Sequence, residues 1–186
     1  MKAFTALTTA VLLASPVGAE EVKTLDGGFA YLPESHQSLV QSINNAGISI
    51  TVNVGAHCDG SHDGFYSPSH ELLAICQDNA PRPHWSEVRW TENDLDTIRH
   101  EAHHLVQDCV ADRQVGGKVA LFFDNKEQFK AFINKALTPK QQQGIIERYS
   151  EAGADEFVIL MELEAFSVAD TVSPDTIANA IDKFCF

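Results

Sequence analysis

His100 and His104 bracket the run His100-Glu101-Ala102-His103-His104. Residues four apart in a helix project within about 40° of one another, so these two imidazoles can address one point on one face. Neutral imidazole nitrogens suit zinc, and a site with three protein ligands leaves a position for water. Glu101 lies one residue round from His100, so its carboxylate can stand beside a metal without ligating it and take a proton from that water. The chemistry offered is metal-assisted hydrolysis: Zn2+ as cofactor, His100 and His104 as ligands, Glu101 as general base. His103 does not share this relation and is read as a supporting or solvent-facing residue.

Such chemistry requires a helix, and the flanking sequence supplies one. Thr91 followed three residues later by Asp94 has the form of a helix cap. Leu95, Ile98, Ala102, Leu105, Val106, Cys109 and Val110 recur at three and four. Gly116-Gly117 is expected to end this helix. Ahead of it, Pro33 opens a segment with Leu39, Val40, Ile43 and Ala46 at helical spacing, stopped at Gly47. Ile48 to Val54 alternates apolar and polar residues as a half-buried strand does, and Glu71 to Cys76 reads as a second strand. Short extended pieces are expected at Phe65-Tyr66 and at Val88 to Trp90, with Gly55 to Ser69 otherwise a loop. Helices are expected over 126–137, 139–150, 155–169 and 174–184, two of them with proline in the first turn. Strands first and helices after predict an α+β domain with a small, mostly antiparallel sheet.

His100-Glu101-Ala102-His103-His104 resembles the HExxH signature of the zincin metallopeptidases. The extension that supplies a third histidine in metzincins is absent, since Leu105 to Arg113 contains neither glycine nor histidine. A gluzincin-like pattern, with a glutamate from a later helix, fits better. Met161 to Phe166 holds Glu162 and Glu164 inside an otherwise apolar helix, where an uncompensated carboxylate is costly. Two residues apart, they point to nearly opposite faces, so only one can be the ligand. Glu164-Ala165 is similar to the Glu-Ala at the ligand position of thermolysin-like enzymes, and that resemblance assigns Glu164, with Glu162 as the alternative. Gly64-Phe65-Tyr66 resembles the strand that lines the cleft in zincins, which would make Tyr66 a donor to a developing oxyanion. His57, His62, His70 and His84 are read mainly as loop histidines beside the cleft.

The wider composition bounds the setting. The 186 residues are 44% hydrophobic, in the range of one globular domain. Lys2, an apolar run and Val17-Gly18-Ala19 have the pattern of a cleaved signal peptide over 1–19, leaving 20–186 as one domain. The apolar run is shorter than the roughly 20 residues of a spanning helix. A secreted or periplasmic protein without membrane anchoring is therefore expected. With 13 basic and 26 acidic residues, the chain repels phosphate backbones, so nucleic acid is an unsuitable partner. Four cysteines in an exported chain read as two disulfides, with Cys58–Cys76 and Cys109–Cys185 the favoured pairing. The expected function is an exported zinc metallopeptidase acting on peptide or protein substrates. Two alternatives stand beside it: a binding or structural domain on the same scaffold, and a hydrolase of non-peptide substrates.

Overall fold

The structure, a computed structural model, describes residues 29, 31–60, 62–80, 88–113 and 119–186. The expected signal peptide, Val17-Gly18-Ala19, His84 and Gly116-Gly117 lie outside the described residues. Among the described residues, no helix is long and apolar enough to cross a membrane.

The architecture is α+β. Helix α1 (Glu34–Asn45) precedes strands β1 (Ser49–Val52), β2 (Gly64–Ser67) and β3 (Leu72–Ile75). Helices α2 (Glu92–Val110), α3 (Lys126–Ala136), α4 (Pro139–Glu151), α5 (Glu156–Thr171) and α6 (Pro174–Phe184) follow. Val88 to Trp90 forms no strand. Each of the five later helices begins on a side-chain cap: Thr91, Asn125, Thr138, Asp155 and Ser173 all accept a hydrogen bond from the backbone three residues on. At Thr91 and Thr138 the return bond from Asp94 and Gln141 completes a capping box.

The sheet has the order β1-β3-β2, and its pairing is mixed rather than mostly antiparallel: β3 runs parallel to β1 and antiparallel to β2. The cause is a crossing loop. Both Val52, ending β1, and Gly64, opening β2, pair with Ile75 at the end of β3, so the intervening chain passes over the end of the central strand. The Cys58–Cys76 disulfide ties that loop to the residue just after β3. Cys109–Cys185 ties the end of α2 to the C-terminus across a separation of 76 residues. A cross-link closing so long a loop restricts the unfolded chain by an amount on the order of 4 kcal/mol. Both bridges pair as the sequence suggests.

Helix α2 is the central beam. Leu95, Ile98, Ala102, Leu105 and Val106 join Leu39 and Ile43 of α1, Leu73 and Ile75 of β3, and Ile177 and Ile181 of α6 in the main core. A second cluster, Phe129, Ile133, Leu137 and Leu163, joins α3 to α5. Strand β2 lies directly on α2. A Cβ at Gly64 would come 2.6 Å from Thr97 Cγ2 and 2.7 Å from the Ala74 carbonyl oxygen, and 3.5 Å from Glu101 Cγ. Only glycine allows that approach, which sets the strand against the turn of α2 carrying Glu101. The helix stops at Val110, before Gly116-Gly117, because Asp112 and Arg113 turn to the left-handed conformation. Arg113 holds that end by donating to the Ala46 carbonyl at 2.9 Å and pairing with Glu71 at 3.2 Å.

Candidate metal centre

His100 and His104, one turn apart on α2, bring their Nε2 atoms to 3.1 Å. Their rings meet edge to face, and Phe166 of α5 also meets His100 edge to face. Across from them on α5 stands Glu162, the alternative ligand, with Oε2 at 3.2 Å from His100 Nε2 and Oε1 at 3.4 Å from His104 Nε2. Burial opposes its charge, but hydrogen bonds from the two histidines prevail and hold its carboxyl well below the usual carboxylate range. Burial also opposes a proton on His104. The Glu162 hydrogen bond and the charges of Glu101 and Glu162 outweigh it, pushing His104 up to about 9. The cluster therefore favours positive charge where the imidazoles converge.

Its dimensions suit zinc. Ligand atoms about 2.0–2.1 Å from a tetrahedral zinc stand roughly 3.3 Å from one another. Here the two Nε2 atoms are 3.1 Å apart, and Glu162 meets them through separate oxygens, Oε2 3.2 Å from His100 and Oε1 3.4 Å from His104. The ligand atoms of His100, Glu101 and His104 all lie within 4.8 Å of each other, and His100 and Glu101 are buried. Two imidazoles, one carboxylate and a second carboxylate alongside make a donor set that fits the metal.

Glu164, the ligand assigned by resemblance, is placed elsewhere. Its fully buried carboxylate accepts from His103 Nε2 at 3.1 Å, Gln107 Nε2 at 2.7 Å and the backbone amides of Phe122 and Phe123 at 3.0 and 3.1 Å. Burial would raise its pKa, yet the bonds from His103, Gln107 and Phe122 keep it low. Burial keeps His103 itself low, against the pull of Glu164. Two parallel sets thus link α2 to α5: His100 and His104 face Glu162, while His103 and Gln107 face Glu164.

Gln107 connects the sets. It is fully buried, its Oε1 accepts from His104 Nδ1 at 2.7 Å, and its Nε2 donates to Glu164 and to the Met161 carbonyl at 3.2 Å. With Nδ1–H spent on Gln107, His104 keeps Nε2 for a metal. Gln107→Leu is expected to lower zinc affinity about 10- to 100-fold with the helix intact, measured by competition with a chromogenic chelator.

A cavity of about 520 Å³ opens beside the cluster, lined among others by His100 and Glu101 of α2, Tyr149 of α4, Phe166 of α5 and His62 and Gly64. Tyr149 is a residue the sequence reading missed. Its phenol is held well above the usual range by burial, then by the charge of Glu162 and a hydrogen bond to it. A tyrosine in the last turn of an unremarkable amphipathic helix carries no signal for this. Tyr66 faces elsewhere, donating to Asp108 Oδ2 at 2.7 Å. Of the loop histidines, His62 lines the cavity and donates to the His57 carbonyl at 2.8 Å, His57 lies 3.3 Å from Thr51 Oγ1, and His70 is exposed beside Ser67.

Fold and site together define an α+β protein with a buried His-Glu-His group able to hold a metal ion. The chain belongs to the family described as a domain of unknown function, DUF8637, whose model matches residues 29–186. No curated protein and no solved structure matches it.

Proposed function

We infer that the protein is an exported zinc hydrolase of peptide bonds, with His100, His104 and Glu162 as the metal ligands and Glu101 as the general base. The observation that carries this reading is the convergence of the two Nε2 atoms and the Glu162 carboxylate at mutual separations of 3.1 to 3.4 Å, with Glu101 beside them on a cavity wall. Zinc bound there would lower the pKa of a water and polarise the scissile carbonyl. Glu101 would accept the proton of such a water and pass it to the departing amine. Gln107 fixes the His104 tautomer. Tyr149 orients Glu162 through its hydroxyl and lines the same cavity. Phe166 on one side and the Gly64 turn on the other wall off the site. The HExxH resemblance supports this class, and two disulfides support export to an oxidising compartment. A general base buried beside the cluster favours turnover over a purely structural site.

Metal analysis of the dialysed protein tests the centre. About one zinc per chain is expected, with loss of it in Glu162→Ala and in His100→Ala/His104→Ala. Full zinc content in the double variant would remove the assignment.

A further inference from the structure

His36 is a buried histidine outside the metal centre. It lies near the start of α1, is 4% exposed, and its Nε2 has no hydrogen-bond partner among the described residues. Ser35 Oγ stands 3.5 Å from its Nδ1, at the outer limit of a hydrogen bond. A buried polar atom without a partner is uncommon in a folded chain and costs stability. Helix α1 packs on α6 and α2, and charged groups act on His36 from both: Glu92 and Arg99 of α2 and Asp175 of α6. Burial holds His36 below the ordinary histidine value and Arg99 adds to this; the Leu95 carbonyl and the carboxylates of Glu92 and Asp175 pull the other way without prevailing. Arg99 is itself confined. It is bonded to Asp96, while its Nε is a second buried nitrogen without a partner among the described residues. The junction of the three helices therefore accepts a neutral imidazole near one guanidinium and offers no bonded acceptor for a second positive charge.

The covalent ties decide what gives way. Helix α6 is fastened to α2 by Cys109–Cys185, and neither disulfide includes a residue of α1. The later turns of α1 are held by fully buried Leu39, Val40 and Ile43, and its end by the bond from Arg113 to the Ala46 carbonyl. The start of α1 hangs on Leu32, on the stacking of Phe29 against Trp90 at 6.1 Å between centroids, and on His36. We propose that His36 makes the start of α1 acid-sensitive: a proton on its imidazole sets a second buried positive charge near Arg99, and the start of α1 loosens from α2 and α6 while the rest of the fold holds. The loosened state exposes an imidazole that takes up a proton below about pH 6.5, whereas the packed state resists it. The packing is therefore fully stable above that pH and weakens as pH falls. Nothing in this depends on a metal at His100 and His104.

Hydrogen exchange read by mass spectrometry on the intact protein, prepared with zinc, tests this. Exchange is followed at about pH 7.5 and about pH 5, with exposure times scaled to cancel the chemical pH dependence of exchange itself. Peptides covering the start of α1 should lose protection at least about tenfold at the lower pH, while those from the middle of α2 and from α6 change less. His36→Gln, neutral at both pH values, should abolish the α1 loss even where the substitution lowers protection overall. Zinc released in acid affects both proteins alike and drops out of the comparison. Arg99→Gln, at a partly exposed side chain, should shrink the wild-type effect at least about twofold, and it gives the answer if the glutamine at position 36 does not fold. Unchanged protection of α1 between the two pH values, an acid loss spread evenly over α1, α2 and α6, or a loss of wild-type size in His36→Gln or in Arg99→Gln overturns the proposal.

Discussion

Glu101→Gln should lower peptide hydrolysis at least about a hundredfold while leaving zinc content and thermal stability nearly unchanged. The carboxylate lies beside His100 on the cavity wall, yet the two imidazoles and the Glu162 carboxylate already converge without it. The amide has nearly the same shape, so packing against β2 at Gly64 survives. What disappears is the ability to accept a proton, which contributes to the transition state and not to holding metal. Digestion of an unbiased peptide library by the wild-type and variant proteins, read by mass spectrometry, measures the difference without a known substrate. Equal product yields from both would end the role given to Glu101.

Glu164→Ala is expected to be among the most destabilising single changes in the chain, costing about 3–5 kcal/mol and lowering the melting temperature by roughly 10 °C. Four donors converge on that carboxylate from α2 and from the backbone at Phe122 and Phe123. Removing it leaves buried N–H groups without acceptors and frees the 122–123 segment from α5. Glu164→Gln should cost less, about 1–3 kcal/mol, because the amide oxygen can still serve the donors at Oε2 while its NH2 faces the Phe123 amide. Glu162→Ala should show the opposite balance, with zinc lost and the fold retained. Calorimetry and metal analysis on the same preparations separate the two glutamates.

Those two residues mark the limit of what the sequence disclosed. An apolar helix interrupted by carboxylates at 162 and 164 announces that both are compensated, and the structure leaves Glu164 fully buried and Glu162 partly buried. Periodicity places them on different faces of α5 but does not name the compensation. For Glu164 the partners are His103, two backbone amides in a segment without a signature, and Gln107, a residue whose type suggests no particular role. Tyr149 was hidden for the same reason, since its function depends on how α4 folds back toward α5. Local signals fared better. The Thr91/Asp94 box, the apolar stripe of α2 and the proline starts at Pro139 and Pro174 are settled by interactions within a few residues, and all appear in the structure. Strand positions were legible from alternation, while strand direction was not. It depends on a loop crossing the end of β3, which neither β1 nor β2 encodes in its own residues.

Among the described residues, α4 is the one α-helix with no buried residue. It packs chiefly on α5, through partly buried Ile145 and Ile146, and supplies Gln141, Arg148 and Tyr149 to the cavity. Little apolar surface is exposed if it lifts, so this wall belongs to the least stable part of the structure and opens locally without unfolding the core. The α2 and α5 walls have no such freedom, being fixed by the main core and by Glu164. Helix α4 is thus the wall of the cavity held by the fewest buried side chains.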